Sequence, residues 1–177
     1  MKLSLVVPCY NEQDNVRAFY DAAVNAFLGC GYEYELVMVN DGSRDNTGIE
    51  LKKLFYEKRE ETPITIVQFS RNFGKEAAMY AGFCNAKGDY IAVMDADLQD
   101  PPALLPEMLK MLETDEYDSV ATRRVSREGE PPIRSWFARR FYDIMNRISE
   151  SDIVDGARDF RLMKKSMVEA IVAMGEY

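Results

Sequence analysis

The sequence predicts an α/β domain built on a parallel sheet with helices on both faces, and three observations carry that prediction. Short apolar runs alternate with longer segments whose apolar residues recur at helical spacing. The runs are nearly continuous, as in strands buried on both faces. Glycine, proline and Asn-Asp-Gly-Ser type turns punctuate the pattern at the element ends.

Taken in order, Leu3 to Val7 is an apolar strand stopped by Pro8, after which Val16, Phe19, Ala23 and Phe27 mark one face of a helix ending at Gly29 and Gly31. Leu36 to Val39 is a second strand that runs into the turn Asn40-Asp41-Gly42-Ser43. Thr47 to Lys58 follows as a helix with Leu51, Leu54 and Phe55 on one side. Ile64 to Phe69 is a third strand, Ala77 to Ala86 a helix of small residues closed by Gly88, and Tyr90 to Met94 a fourth strand. Pro101 and Pro102 suit a helix start, with Leu105, Met108, Leu109 and Leu112 as its buried stripe. Ser119 to Thr122 is a short fifth strand, and Phe137, Phe141, Ile144, Met145 and Ile148 define a long amphipathic helix. Asp159 stands where a strand or turn begins. Strands joined by helices demand right-handed crossovers, which gather the loops that follow the strands along one edge of the sheet.

Composition narrows the chemistry. The 177 residues suffice for one domain with a substantial core, and 47% hydrophobic against 29% charged residues excludes a disordered chain. Twenty-two basic and thirty acidic residues give a net charge of -8, which disfavours a nucleic-acid partner. Histidine is absent, so no imidazole base or ligand is available and acid–base or metal chemistry falls to carboxylates and amides. Cys9, Cys30 and Cys84 form neither a zinc pattern nor a disulfide framework, which fits a reducing cytoplasm. No apolar run approaches the ~18 residues of a membrane span.

Against that background the segment Tyr90-Ile91-Ala92-Val93-Met94-Asp95-Ala96-Asp97-Leu98-Gln99-Asp100 stands out. It sets Asp95 and Asp97 at the carboxyl end of a strand, where open α/β sheets bind ligands. A hard cation bridging phosphate oxygens would want such a pair; an acidic turn is the plainer explanation. Glu12 and Asp41 follow two earlier strands, and carboxylates on converging loops can accept hydrogen bonds from ribose hydroxyls and a base imide. Each also has a local explanation: Asp41 as a turn former, Glu12 as an early-helix charge. Tyr10 either stacks on a base or covers the sheet edge, Lys75 after Asn72-Phe73-Gly74 reads as a surface lysine at a helix start, and Gln99 is a polar oxygen two residues past Asp97. Neither Gly-x-Gly-x-x-Gly nor a P-loop is present, which disfavours a dinucleotide fold and a P-loop nucleotidase. Arg123, Arg124, Arg127, Arg134, Arg139 and Arg140 crowd one segment of an acidic chain, either solvating the amphipathic helix or forming a site for a phosphate or anionic headgroup.

Four motifs in order, Pro8-Cys9-Tyr10-Asn11-Glu12, Val39-Asn40-Asp41-Gly42-Ser43-Arg44-Asp45, Asp95-Ala96-Asp97-Leu98-Gln99-Asp100-Pro101-Pro102 and Asp159-Phe160-Arg161-Leu162, resemble the inverting family 2 glycosyltransferases. The likeness is greatest to the polyprenyl-phosphate subgroup, which includes dolichol-phosphate mannose synthase and the bactoprenol glucosyltransferases, and it runs from Lys2 to about Met163. It implies a GT-A fold, a mostly parallel sheet with helices on both faces. It implies a nucleotide-sugar donor, UDP-linked by the glucosyltransferase likeness, and a polyprenyl phosphate acceptor at the cytoplasmic face of the membrane. On the same basis Pro8, Tyr10, Glu12 and Asp41 would hold the base and ribose, with Asp95 at the ribose or metal side. Asp97 with Gln99 would bind Mg²⁺ or Mn²⁺, Arg127 and Arg134 the acceptor phosphate, and Asp159 the catalytic position. Residues 1–177 are expected to form a single catalytic domain, with further elements and membrane helices beyond it and homo-oligomerisation left open. The rival readings are a soluble family 2 enzyme acting on a glycan, a nucleotidyltransferase, and a receiver-like signalling module. Pro8 stands where a receiver would have an acid pair, and the first loop lacks the glycines and lysines of a nucleotidyltransferase.

Overall fold

The computed structural model describes residues 1–123 and 157–175. The predicted Phe137 to Ile148 helix, Arg127 and Arg134 lie outside them. The chain divides into two compact units, Met1–Val120 with Phe160–Tyr177, and Ala121–Asp159.

The elements are β1 (Lys2–Cys9), α1 (Val16–Phe27), β2 (Glu33–Asn40), α2 (Thr47–Lys58), β3 (Ile64–Gln68), α3 (Lys75–Asn85), β4 (Tyr90–Val93), a 3-10 turn at Pro102–Leu104, α4 (Leu105–Leu112), β5 (Ser119–Arg123), β6 (Ala157–Lys164) and α5 (Lys165–Met174). Among the described residues the sheet has six strands in the order β3-β2-β1-β4-β6-β5. β1 pairs in parallel with β2 and β4, and β2 with β3, whereas β4 pairs antiparallel with β6, Val93 opposite Arg161. The chain thus builds outward from β1 to β3, then returns to lay β4 on the other side of β1. That reversal opens a crevice beyond the carboxyl ends of β1 and β4, the place where sheets of this type take their ligands.

β1 is buried along nearly its whole length and feeds two cores. Leu3, Leu5, Val7 and Cys9 pack with Leu36, Met38, Ala92 and Met94 under α1, α2 and α4, joined by Phe160 and Leu162 from β6. Val6 points the opposite way with Val37, Ile91, Val93 and Met163, against Met79 and Phe83 of α3 and Val168 of α5. The two-residue alternation of a strand makes this division, and the two helical layers follow from it. α3 lies close on β1: a β-carbon at Gly82 would sit 2.2 Å from Val6 Cγ1.

Two expectations need correction. β1 does not stop at Pro8; it runs to Cys9, with Pro8 in register with Val39. The Val6 carbonyl accepts from Met94 N–H and the Cys9 carbonyl from Asp41 N–H, so even-numbered residues of β1 address β4 and odd-numbered ones β2. Pairing with β4 ends at Val6, and the N–H that Pro8 lacks is one the ladder no longer needs. The helix expected over Ala77 to Ala86 begins two residues earlier, at Lys75, launched by Gly74 at φ 101°.

Candidate active site

The loops after β1, β2, β3 and β4 meet at the crevice. The loop after β1 and the loop after β2 are stitched by reciprocal bonds: Asn11 N–H donates to Ser43 Oγ at 3.0 Å while Arg44 N–H donates to Asn11 Oδ1 at 2.9 Å. Glu12 N–H donates to Thr47 Oγ1 at 2.7 Å, and Gln13 N–H to Asp45 Oδ2 at 3.3 Å. Asn11 adopts φ 58°, a conformation its short amide side chain tolerates. Burial works against ionisation of Asp45, but the hydroxyl and N–H of Thr47 and the Gln13 N–H outweigh it and hold the carboxyl below its ordinary range. Much of the polar content of the Asn-Asp-Gly-Ser-Arg-Asp segment therefore shapes the loop.

Asp41, 3% exposed, is anchored more firmly still. Its Oδ1 accepts Phe73 N–H at 2.7 Å and its Oδ2 accepts Gly74 N–H at 3.0 Å. Gly42 beside it has φ +61° and lies so close to the Arg71 backbone that a β-carbon there would be 2.1 Å from the Arg71 carbonyl carbon. The third loop, between β3 and α3, is thereby pinned to the end of β2.

Together these loops enclose a cleft of about 290 Å³ lined by Pro8, Tyr10, Glu12, Asp41, Asn72, Lys75, Ala78, Asp95 and Asp97. The structure thus brings the expected donor-site residues Pro8, Tyr10, Glu12, Asp41 and Asp95 together with Asp97. Tyr10 is 39% exposed, leaving its ring accessible. Lys75 Nζ lies 2.7 Å from Asp95 Oδ1 and 2.9 Å from Oδ2. Its place at the start of α3, set by Gly74, brings Lys75 into the site and not onto the open surface that its local sequence suggests. Gln99 is exposed and does not line the cleft, but its N–H donates to Asp97 Oδ1 at 3.0 Å, closing a turn in which Leu98 has φ 59°. Asp159 is exposed and belongs to the second unit. Cys9 lies fully buried beneath the cleft; burial, then the charges of Glu12 and Asp95, push its thiol up and disfavour the reactive thiolate.

Among the described residues no cluster of three or more His, Cys, Asp or Glu side chains forms a cage for a metal. Asp95 and Asp97 instead offer a pair of hard oxygen donors beside open space. This fits an ion of the Mg²⁺ or Mn²⁺ kind, which takes one or two carboxylates and completes its shell with phosphate oxygens and water.

The sequence profile of Glycosyl transferase family 2 matches residues 4–172. The chain belongs to that family. Its relatives include a prophage bactoprenol glucosyl transferase homolog of Escherichia coli (strain K12), 37% identical over 176 residues, which cover 99% of this chain and 56% of the relative. The bactoprenol glucosyl transferase of Shigella phage SfV is 36% identical over 99% of this chain and 56% of its own length. The chain therefore spans about half the length of these curated relatives. Solved glycosyltransferases share the GT-A fold: the mannosyltransferase PcManGT of Pyrobaculum calidifontis, in complex with GDP-Man and Mn²⁺, superposes with a TM-score of 0.68 at 22% identity, covering 96% of this chain and 46% of that one. Glucosyl-3-phosphoglycerate synthase of Mycobacterium tuberculosis, in complex with Mn²⁺, UDP and glucosyl-3-phosphoglycerate, gives a TM-score of 0.61 at 19% identity over 94% of this chain and 57% of that one. These likenesses bear out the expected family and fold.

Proposed function

We propose that this family 2 chain binds a nucleoside diphosphate sugar, UDP-linked, and transfers the sugar with inversion to a polyprenyl phosphate at the cytoplasmic membrane face. The observation that carries the reading is the cleft at the β1/β4 crevice, where Tyr10, Glu12, Asp41, Asp95 and Asp97 converge. The acceptor is supported by the relatives named bactoprenol glucosyl transferases. No described helix is long and apolar enough to cross a membrane.

In this reading Pro8 and Tyr10 cover the base, while Glu12 and Asp41 accept hydrogen bonds from base or ribose. Asp95 and Asp97, with Gln99 holding the turn, orient the diphosphate. These carboxylates would hold a divalent ion, which would offset the negative charge that develops on the leaving group. An oxygen of the acceptor phosphate attacks the anomeric carbon from the face opposite the diphosphate. The new carbon–oxygen bond forms as the bond to the diphosphate breaks, and the leaving oxygen keeps the electron pair, so configuration inverts. A phosphate monoester is largely ionised near pH 7, so no proton has to be removed for attack. Asp159, on β6 two residues before the Arg161 that pairs with Val93, orients the acceptor or its arginines. Arg127 and Arg134 balance the charge of the incoming phosphate.

The test is a product assay on the full-length enzyme with undecaprenyl phosphate and labelled UDP-glucose, UDP-galactose, UDP-N-acetylglucosamine or GDP-mannose. Label in the lipid fraction with inverted stereochemistry by NMR is expected, and Arg127→Ala with Arg134→Ala should abolish transfer. Retention of configuration refutes the mechanism, and label confined to a soluble glycan refutes the acceptor.

A further inference from the structure

The lining of the cleft carries an electrostatic conflict. Four of its side chains, Glu12, Asp41, Asp95 and Asp97, are acidic and one, Lys75, is basic. A nucleoside diphosphate brings two or three further negative charges into that space. The lysine ammonium meanwhile sits across both oxygens of Asp95, at 2.7 and 2.9 Å, the approach a divalent ion would use.

We propose that Lys75 holds the cation position on Asp95 while the cleft is empty, and exchanges onto the diphosphate when donor and divalent ion enter together. The proposal rests on the donor-site reading above and adds to it a residue that couples the two ligands. With its ammonium on Asp95, Lys75 repels a free divalent ion, so the ion binds poorly alone. Once a diphosphate arrives, the ammonium has an acceptor of higher charge, and Asp95 is released to hold a divalent ion. By linkage each ligand then strengthens the other.

Two features of the geometry suit such an exchange. Lys75 and Asp95 side chains are 35% and 42% exposed, and an ion pair that wet is weak and readily broken. The base of the lysine, by contrast, is fixed: Asp41 grips the N–H groups of Phe73 and Gly74 immediately before it, and Gly82 seats the same helix against Val6. A flexible four-carbon stem on a fixed root can swing its ammonium between neighbouring acceptors without moving α3.

The experiment is a pair of titrations on the 177-residue chain, wild type and Lys75→Met. Mn²⁺ without nucleotide is followed by electron paramagnetic resonance of the free ion, and UDP in excess chelator, with GDP in parallel, by calorimetry. Removing the competing ammonium should tighten Mn²⁺ binding about threefold or more, while removing the diphosphate's partner should weaken metal-free UDP binding about fivefold or more. These shifts have opposite signs, which a loss of folded protein cannot produce. Lys75→Arg, which keeps charge and reach, should return both affinities to near wild type. Mn²⁺ binding unchanged or weaker in Lys75→Met, UDP binding unchanged, or an arginine variant that behaves like methionine each overturns the proposal. A wild-type chain that binds neither UDP nor GDP with Mn²⁺ removes the donor-site reading as well.

Discussion

Asp41 and Gly74 are joined by a 3.0 Å hydrogen bond from the glycine N–H to the carboxylate, so the acid expected to read the donor also fixes where α3 begins. Both Asp41 oxygens are engaged by the backbone, Phe73 N–H at 2.7 Å completing the pair. Each oxygen retains a second lone pair for a ligand. Structural and ligand-binding roles are therefore compatible in one side chain.

Asp41→Asn turns one of those acceptors into an NH₂ group facing an N–H donor in a buried position. The expected cost is about 1–3 kcal/mol, a fall in thermal midpoint of roughly 2–10 °C for a chain of this size. UDP affinity should fall with it, because Lys75 and Asn72 lose their fixed root. Thermal unfolding followed by calorimetric titration checks both. Lost affinity at unchanged stability would leave Asp41 a ligand contact only.

The close approach of α3 to β1 gives a second prediction. A methyl group at Gly82 would overlap Val6 Cγ1, and Gly82→Ala should destabilise by about 1–3 kcal/mol. Val6→Ala removes the obstructing atoms at the expense of a buried cavity. The double variant should be more stable than the sum of the single effects by about 1 kcal/mol. Urea unfolding of the four proteins closes the cycle, and strict additivity would place the strain elsewhere.

Most of the layout through Leu112 could be read in the sequence because its elements have local signals. Val16, Phe19, Ala23 and Phe27 reveal α1 by spacing alone, and all four are buried. Glu12, Asp41, Asp95 and Asp97 were legible as a cleft because a parallel sheet sends the ends of its strands to one edge. The place of β6 was not. It enters antiparallel between β4 and β5, a non-local pairing that Phe160 and Leu162 announce only as apolar residues two apart. Pro8 misled because a proline's effect on a strand depends on which neighbour its missing N–H would face. The Lys75–Asp95 pair joins residues twenty apart, one at the start of α3 and one just past β4, and no local pattern encodes it.

At the opposite end of the sheet from the cleft, Glu35 supplies a pH-dependent part of stability. It is 5% exposed; its Oε1 accepts from the Ser4 hydroxyl at 2.6 Å and Lys87 N–H at 2.7 Å, while Lys2 pairs with Oε2. Burial raises its pKa, but the bonds from Lys2, Ser4 and Lys87 outweigh that and leave it below the ordinary value. A carboxyl depressed on folding stabilises fully above its unfolded pKa of about 4.3, and the contribution is lost as pH falls through the folded value. Urea midpoints measured from pH 7 down to 3 should therefore drop with acid. Glu35→Gln should cost about 1–3 kcal/mol at pH 7 and flatten the acid limb. An equally steep limb in the variant would assign it to other groups, Asp45 first.

Asp97 offers the cleanest separation of ligand binding from folding. Its side chain is exposed, and its Oδ1 accepts Gln99 N–H at 3.0 Å, a bond that an asparagine oxygen can also make. Asp97→Asn should thus leave the thermal midpoint within about 2 °C and still remove one of two charges from the proposed ion site. UDP binding in the presence of Mn²⁺ should weaken about tenfold or more, a change of roughly 1.4 kcal/mol, and with chelator present the two proteins should converge. Gln99→Ala keeps the backbone N–H and should change UDP affinity by less than about threefold; a larger loss would put its amide in the ion's shell. Calorimetric titrations of UDP with Mn²⁺, Mg²⁺ or chelator distinguish these outcomes. Affinity that is indifferent to metal and survives Asp97→Asn would mean that Asp95 and Asp97 form an acidic turn and hold no ion.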